Sequence, residues 1–269
     1  SESDFKRVPH LLYGVMPVGE TITTGQYRRL FFKILKEIES QYEYVFVVGG
    51  SGFWFQALEK GMYEVPELSE SQKQEIVAGL KAPDGANKFY DEILKKDPST
   101  NIKPNDLYRI GRAMEIMRAT GKTPSEHRAC FQEQPFPWPL LKLGLTAEKE
   151  VLLPRVQLRT RDMLHSGLLT EVRGLLVQGL VNWAPLNSVG YKQAKEFLLT
   201  NQGMEDLRSQ EVFESLEALE TKIVQSTMQL IKKQKTWFKR DKQISWVQGD
   251  WGSQKAEILD LSLKSLGFC

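Results

Sequence analysis

Several stretches of this sequence set polar and cationic side chains at spacings that could do chemistry. In Val47-Val48-Gly49-Gly50-Ser51-Gly52, small residues follow a β-branched run and precede an aromatic, helix-forming one. A strand turning through glycines into a helix N-terminus presents free backbone N–H groups to an anion, and the Ser51 hydroxyl adds a donor. The plainer reading is an ordinary strand–helix turn. Arg109 and Arg112 stand at i and i+3 on one expected helix, so they share a face that could clamp phosphates or could carry intrachain ion pairs. Arg155, Arg159 and Arg161 surround Asp162. An arginine there could grip a diphosphate through two parallel hydrogen bonds, or Asp162 could neutralise it. Asn187-Ser188-Val189-Gly190-Tyr191-Lys192 is a glycine turn that combines backbone donors, an aromatic ring and a cation; a capped loop with Tyr191 packed inside is the alternative. The densest basic run is Lys232-Lys233-Gln234-Lys235-Thr236-Trp237-Phe238-Lys239, where charge interleaved with aromatics suits phosphate contacts and base stacking. The competing explanation is lysines favoured at a helix C-terminus, with Trp237 in the core.

The elements that must position these residues follow from periodicity. Leu11–Met16 and Tyr44–Val48 read as strands, Leu141–Leu145 and Ile244–Val247 as two later ones. Leu30, Phe31, Ile34, Leu35 and Ile38 recur at helical spacing, and Phe53–Leu58 opens a second helix. Helix, apolar strand, glycine turn, helix is the rhythm of a parallel α/β sheet. Ser71–Leu80, Phe89–Lys96 and Asn105–Ala119 read as helices, the last between a Lys103-Pro104-Asn105-Asp106 start and a Thr120-Gly121 stop. Residues 62–138 are therefore expected to be a helical insertion between a partial α/β core (1–61) and a return to that core with C-terminal helices (139–269). The latter helices are expected over Val151–Leu164, Leu168–Gln178, Tyr191–Leu199 and Glu211–Lys239.

Composition narrows the class. With 269 residues, 41% hydrophobic and 26% charged, the chain can bury a core and is not expected to be disordered. A net charge of +2 requires any nucleic-acid surface to be a local patch. Two cysteines, Cys130 and Cys269, and three histidines show no metal or disulfide spacing. No apolar run reaches the roughly 18 residues of a membrane span. The expectation is a monomeric cytoplasmic protein without a membrane association.

Taken in order, the stretches resemble the tRNA dimethylallyltransferase (tRNA isopentenyltransferase) family. The matching positions are Val8-Pro9-His10-Leu11-Leu12, Thr24-Gly25-Gln26, Val48 to Gly52, Pro104-Asn105-Asp106 with Arg109 and Arg112, and Thr120-Gly121. They continue through Arg159 to Met163, Gly167-Leu168, Glu171-Val172, Val189 to Gln193, and Lys232 to Phe238. Each is weak alone; their order over residues 8 to 247 is what carries the resemblance.

The resemblance implies a P-loop-NTPase-like parallel sheet core with a helical insertion. It implies transfer of a dimethylallyl group from dimethylallyl diphosphate to N6 of the adenine 3′ to the anticodon, the base being flipped out of the tRNA loop, with Mg²⁺ assisting. Carried over by position, Arg159 holds the diphosphate and Ser51, where the family usually has Thr, lines the reaction channel. Contact with the tRNA anticodon stem-loop is implied for Tyr108, Arg109, Arg112, Asn187 to Lys192 and Lys232 to Lys239. Lys73 falls where the family often has a basic RNA-contacting residue. The sequence departs from the family at Met228, Lys233 and Lys192, where Arg is common, so two-pronged phosphate contacts are lost there.

Residues 1–269 contain neither the family's G-x-T-x-x-G-K-[ST] phosphate loop nor its D-S-x-Q-x-Y motif, whose Asp is the general base. The first strand, the loop and the base are therefore expected to be missing, and the chain alone to be inactive or nearly so. A tRNA-binding fragment without catalysis, and a prenyltransferase acting on free adenine nucleotides, stay open as alternatives.

Overall fold

The computed structural model describes residues 7–63, 65–200 and 210–249, so Cys269 lies outside the described residues. The chain divides into two compact units, Ser1–Trp54 with Trp138–Cys269, and Phe55–Pro137.

In the first unit, α1 (Thr24–Ile38) starts where the Thr23 side chain accepts from the Gln26 N–H while the Gln26 side chain caps the Thr23 N–H. This reciprocal pairing satisfies two of the donors that a helix start leaves open. Its buried stripe is Phe31 and Leu35. A second helix, α2 (Gly52–Lys60), begins at the glycine turn, and its residues from Phe55 on belong to the second unit. Later in the chain, β1 (Leu143–Thr146) leads into α7 (Lys149–His165), α8 (Leu168–Val177), a short 3₁₀ turn (Ala184–Asn187) and α9 (Tyr191–Thr200). The long α10 (Gln210–Phe238) then returns to β2 (Ser245–Gln248). β1 and β2 pair in parallel, Leu143 opposite Ser245 and Thr146 opposite Gln248. Leu168, Val172, Leu186, Ala194, Leu219 and Ile223 form the core joining α8, α9 and α10. Each fully buried aliphatic side chain there contributes on the order of 1.5–3 kcal/mol.

The second unit is helical: α3 (Glu70–Lys81), α4 (Gly85–Lys96), α5 (Leu107–Thr120) and α6 (Pro124–Ala129). Its core gathers Leu68, Ile76, Ile93, Ile110, Ala113 and Met114. The buried Asp97 carboxylate accepts from the Ser99 hydroxyl and the Ser125 N–H, tying the end of α4 to the start of α6. The Thr123–Glu126 capping box and Pro124 explain why six residues suffice for α6.

The protein is thus α/β with a small parallel sheet and is mostly helical. The expected strands at 141–145 and 244–247 are present within two residues, as β1 and β2. The runs Leu11–Met16 and Tyr44–Val48 are not strands. Among the described residues neither joins a sheet, and Phe46 and Val48 are 76% and 85% exposed. A β-rich sequence states a preference, but a strand exists only when a neighbour accepts its backbone hydrogen bonds.

Candidate nucleic-acid interface

The glycine turn and the basic run, 184 residues apart, meet in the first unit. The Gln234 side-chain amide donates to the Gly50 carbonyl at 3.0 Å. A Cβ on Gly50 would lie 2.2 Å from that same amide nitrogen, and one on Gly52 would lie 2.0 Å from the Trp237 indole. At Gly52 the neighbour is a bulky indole, so that position is glycine because α10 sits directly on the turn, whereas at Gly50 the amide end of Gln234 would have to swing aside. This changes the reading of the glycines: the space left by their missing side chains is filled by Gln234 and Trp237 rather than left open for an anion. Ser51, between them, is exposed. Trp237 is itself 40% exposed rather than a core residue. The Arg240 guanidinium lies 5.9 Å from its ring, a cation–π contact.

One face of α10 forms an open groove of about 620 Å³ lined by Gln229, Lys232, Lys233, Thr236, Trp237 and Arg240. These positions follow the helical period, so a run that is continuous in sequence is split in space. Lys235 and Lys239 do not line the groove. The ammonium groups of Lys232 and Lys233 have no ion-pair partner among the described residues. Gln229 carries no signal of its own in the sequence; only its i+3 and i+4 spacing to Lys232 and Lys233 marks it.

Arg159 is exposed on α7 and has no hydrogen-bond or ion-pair partner among the described residues. Its neighbour Arg161 is engaged instead, with Nε 2.9 Å from Glu220 on α10. Among the described residues Asp162 forms no ion pair with Arg159 or Arg161. Ser51 and Arg159 are not joined by any described contact.

The turn Asn187–Lys192 is held from four sides. Lys195 Nζ donates to the Asn187 side chain at 3.0 Å, and the Ser188 hydroxyl donates to the Pro185 carbonyl at 2.7 Å. Gly190, at φ 95°, donates its N–H to the Gln193 side chain, which itself donates to Ser226 on α10. The Tyr191 hydroxyl donates to Glu171 at 2.6 Å. That hydrogen bond to a carboxylate, then burial, then the carboxylate's charge push the phenol up to about 12. The Gly190 N–H is thus not a free donor. Val189 is exposed, and Lys192 lies 3.9 Å from Glu196. Glu171 and Gln193 stand among the positions that carry the family resemblance, but nothing local in the sequence assigns them their partners, and Ser226 has no signature of its own.

In the second unit, Tyr108 is 83% exposed at the start of α5. Arg109 pairs with Asp106 at 3.3 Å, Arg112 with Glu115 at 2.6 Å, and Lys73 on α3 with Glu70 at 2.7 Å. These are local pairs three residues apart, exposed at Arg109 and part-buried at Arg112, worth a few tenths of a kcal/mol each. Phosphates can displace them at little cost.

Among the described residues no three His, Cys, Asp or Glu side chains converge as metal ligands. The Mg²⁺ implied by the resemblance finds no cage of three such side chains among the described residues. No helix of the described residues is long and apolar enough to cross a membrane.

The family model described as IPP transferase matches residues 1–241. This chain belongs to the IPP transferase family. A tRNA dimethylallyltransferase of Bdellovibrio bacteriovorus is 42% identical over 256 residues, spanning 94% of this chain and 79% of that protein. The tRNA dimethylallyltransferase 1 of Bacteroides thetaiotaomicron is 32% identical over 264 residues, with 97% and 80% covered. Among solved structures, the full-length tRNA isopentenylpyrophosphate transferase of Bacillus halodurans superposes with a TM-score of 0.61 at 24% identity, covering 99% of this chain and 81% of that one. A eukaryotic dimethylallyltransferase acting on tRNA gives 0.66 at 21%, covering 91% of this chain and 61% of that one. At those identities the two structures speak for the fold alone. The IPP transferase match spans the glycine turn, Arg159, the Asn187–Lys192 turn and the whole α10 groove.

Proposed function

We propose that this chain acts in prenylation of tRNA, moving a dimethylallyl group from dimethylallyl diphosphate to N6 of the adenine 3′ to the anticodon. In this reaction the donor's C–O bond breaks, a C–N bond forms to the exocyclic amine, diphosphate departs and the amine loses a proton. The observation that carries the reading is the seating of Gln234 and Trp237 on Gly50 and Gly52, which sets the basic α10 groove beside Ser51. In that arrangement Lys232 and Lys233 take up loop phosphates, and Trp237 offers a partly exposed ring for base stacking. Ser51 lines the path of the acceptor. Arg159, cationic and without an ion-pair partner among the described residues, is the side chain for the departing diphosphate, whose growing charge it stabilises. The Asn187–Lys192 turn adds a second RNA contact, and Tyr108, Arg109, Arg112 and Lys73 supply another set on the helical unit. Support for a polynucleotide acceptor, rather than a free nucleotide, comes from the number of these cationic positions.

The reading is tested on the 269-residue polypeptide itself. The test incubates it, and the Bdellovibrio relative in parallel, with dimethylallyl diphosphate and tRNA. The digested nucleosides are then weighed. A dimethylallyl adduct on adenosine from tRNA supports the reading. An adduct on free AMP but not on tRNA would replace it with the nucleotide-acceptor alternative. Salt-sensitive RNA binding with no adduct at all would reduce the chain to a tRNA-binding module.

A further inference from the structure

The Asn187–Lys192 turn holds its RNA-facing groups on a short loop, where position is set only by what the loop is tied to. Two of its ties stay within the neighbouring sequence: Lys195 to Asn187 and Ser188 to Pro185. Gln193 links the turn to Ser226 on α10. The remaining tie crosses from α9 to α8: the Tyr191 hydroxyl donates to Glu171 Oε1 at 2.6 Å, the shortest of the four. Tyr191 is the first residue of α9 and follows Gly190, whose φ of 95° lets the chain reverse direction. Its ring packs against the core of α8, α9 and α10, so the ring and its hydroxyl together set the start of α9 and the exit angle of the turn.

An acidic side chain at this place calls for a reason. Beside a turn that meets polyphosphate, a carboxylate repels the ligand. It is tolerable only if it provides something an apolar or cationic residue could not. A carboxylate accepts from a phenol more strongly than a neutral oxygen does, and it is held at a fixed point on the first turn of α8, where the helix dipole favours negative charge. The strongly raised phenol pKa agrees with this bond being well formed.

We infer that Glu171 is a positioning residue for RNA binding: through the Tyr191 hydroxyl it holds the Asn187–Lys192 turn in its binding conformation without touching RNA itself. The inference rests on the reading that this turn contacts the anticodon arm.

The test measures the dissociation constant of a fluorescent anticodon stem-loop for the full 269-residue chain and its variants. Glu171→Ala removes the acceptor and is expected to weaken binding about five- to tenfold, the effect of one hydrogen bond. Tyr191→Phe should weaken it by a similar factor, and the double variant no more than either single one. Glu171→Gln keeps an acceptor and should restore binding to within about twofold of the parent. A merely structural role predicts a different pattern: Ala and Gln variants equally impaired, each in step with its loss of melting temperature. Unchanged binding in Glu171→Ala, or additive losses in the double variant, overturns the inference. Lys192→Ala separates the two levels. If it weakens binding while Glu171→Ala does not, the turn contacts RNA and only the positioning role fails. If neither changes binding, the turn is not an RNA contact, and the inference falls with the reading beneath it.

Discussion

Trp237 rests on Gly52 so closely that a Cβ there would be 2.0 Å from the indole Cδ1. Gly52→Ala must therefore push Trp237 and the end of α10 off the turn. A cost of about 1–3 kcal/mol is expected, as for other overpacked contacts, read by urea unfolding followed through tryptophan fluorescence. In a Trp237→Ala background the same substitution should cost under about 0.5 kcal/mol, because the clash is gone. Equal costs in both backgrounds would show that the ring is not what forbids a side chain at 52.

The α10 groove predicts an unequal effect of its lysines. Lys232→Ala and Lys233→Ala should each weaken binding of a single-stranded anticodon loop and flatten the plot of log affinity against log salt by about 0.7. Lys239→Ala, off the groove, should change the slope by less than half of that. Identical slopes for all three variants would mean that linear charge density, not the helical face, governs binding.

Tyr191 predicts a titration. Spectrophotometric titration should find one phenol ionising near 12, and Glu171→Gln should bring it down towards the ordinary value of about 10. The folded value is raised above the unfolded one, so the neutral phenol's contribution to stability is fully present below about pH 10 and is lost as pH rises through about 12. Denaturant midpoints taken across that window should fall more steeply for the parent than for Tyr191→Phe. Parallel curves would count against the bond to Glu171.

The exposed run Tyr44–Val48 predicts poor colloidal behaviour. Phe46→Lys and Val48→Lys change highly exposed side chains, so each should leave stability within about 0.5 kcal/mol while lowering aggregation measured by light scattering. A loss above about 2 kcal/mol from either would show that the run is packed in solution.

The elements most legible in the sequence are those that local rules decide. The span of α5 follows from Asp106 at its start and Gly121 at its end, and α9 and α10 follow from their apolar periods. The small β1–β2 sheet is visible as two apolar runs, but the pairing of Leu143 with Ser245 is not, since nothing local joins them. The α6 helix is hidden by its length, although its Thr123-Pro124 start is written in the sequence. Tyr44–Val48 misleads in the opposite direction: its composition asks for a sheet that the fold does not provide.

The candidate site divides along the same line. The residue types are in the sequence: glycines at 50 and 52, arginine at 159, the Lys232–Lys239 run and the turn at 187–192. Their family order needs no coordinates. Only tertiary structure decided that the glycines serve α10 rather than an anion, that Arg161 and not Arg159 is paired, and that Tyr191 belongs to Glu171. Those facts are contacts between residues from 20 to 184 positions apart, which no helical or strand period encodes. They exist because burying the faces of α8, α9 and α10 in one core brings distant side chains within hydrogen-bond reach.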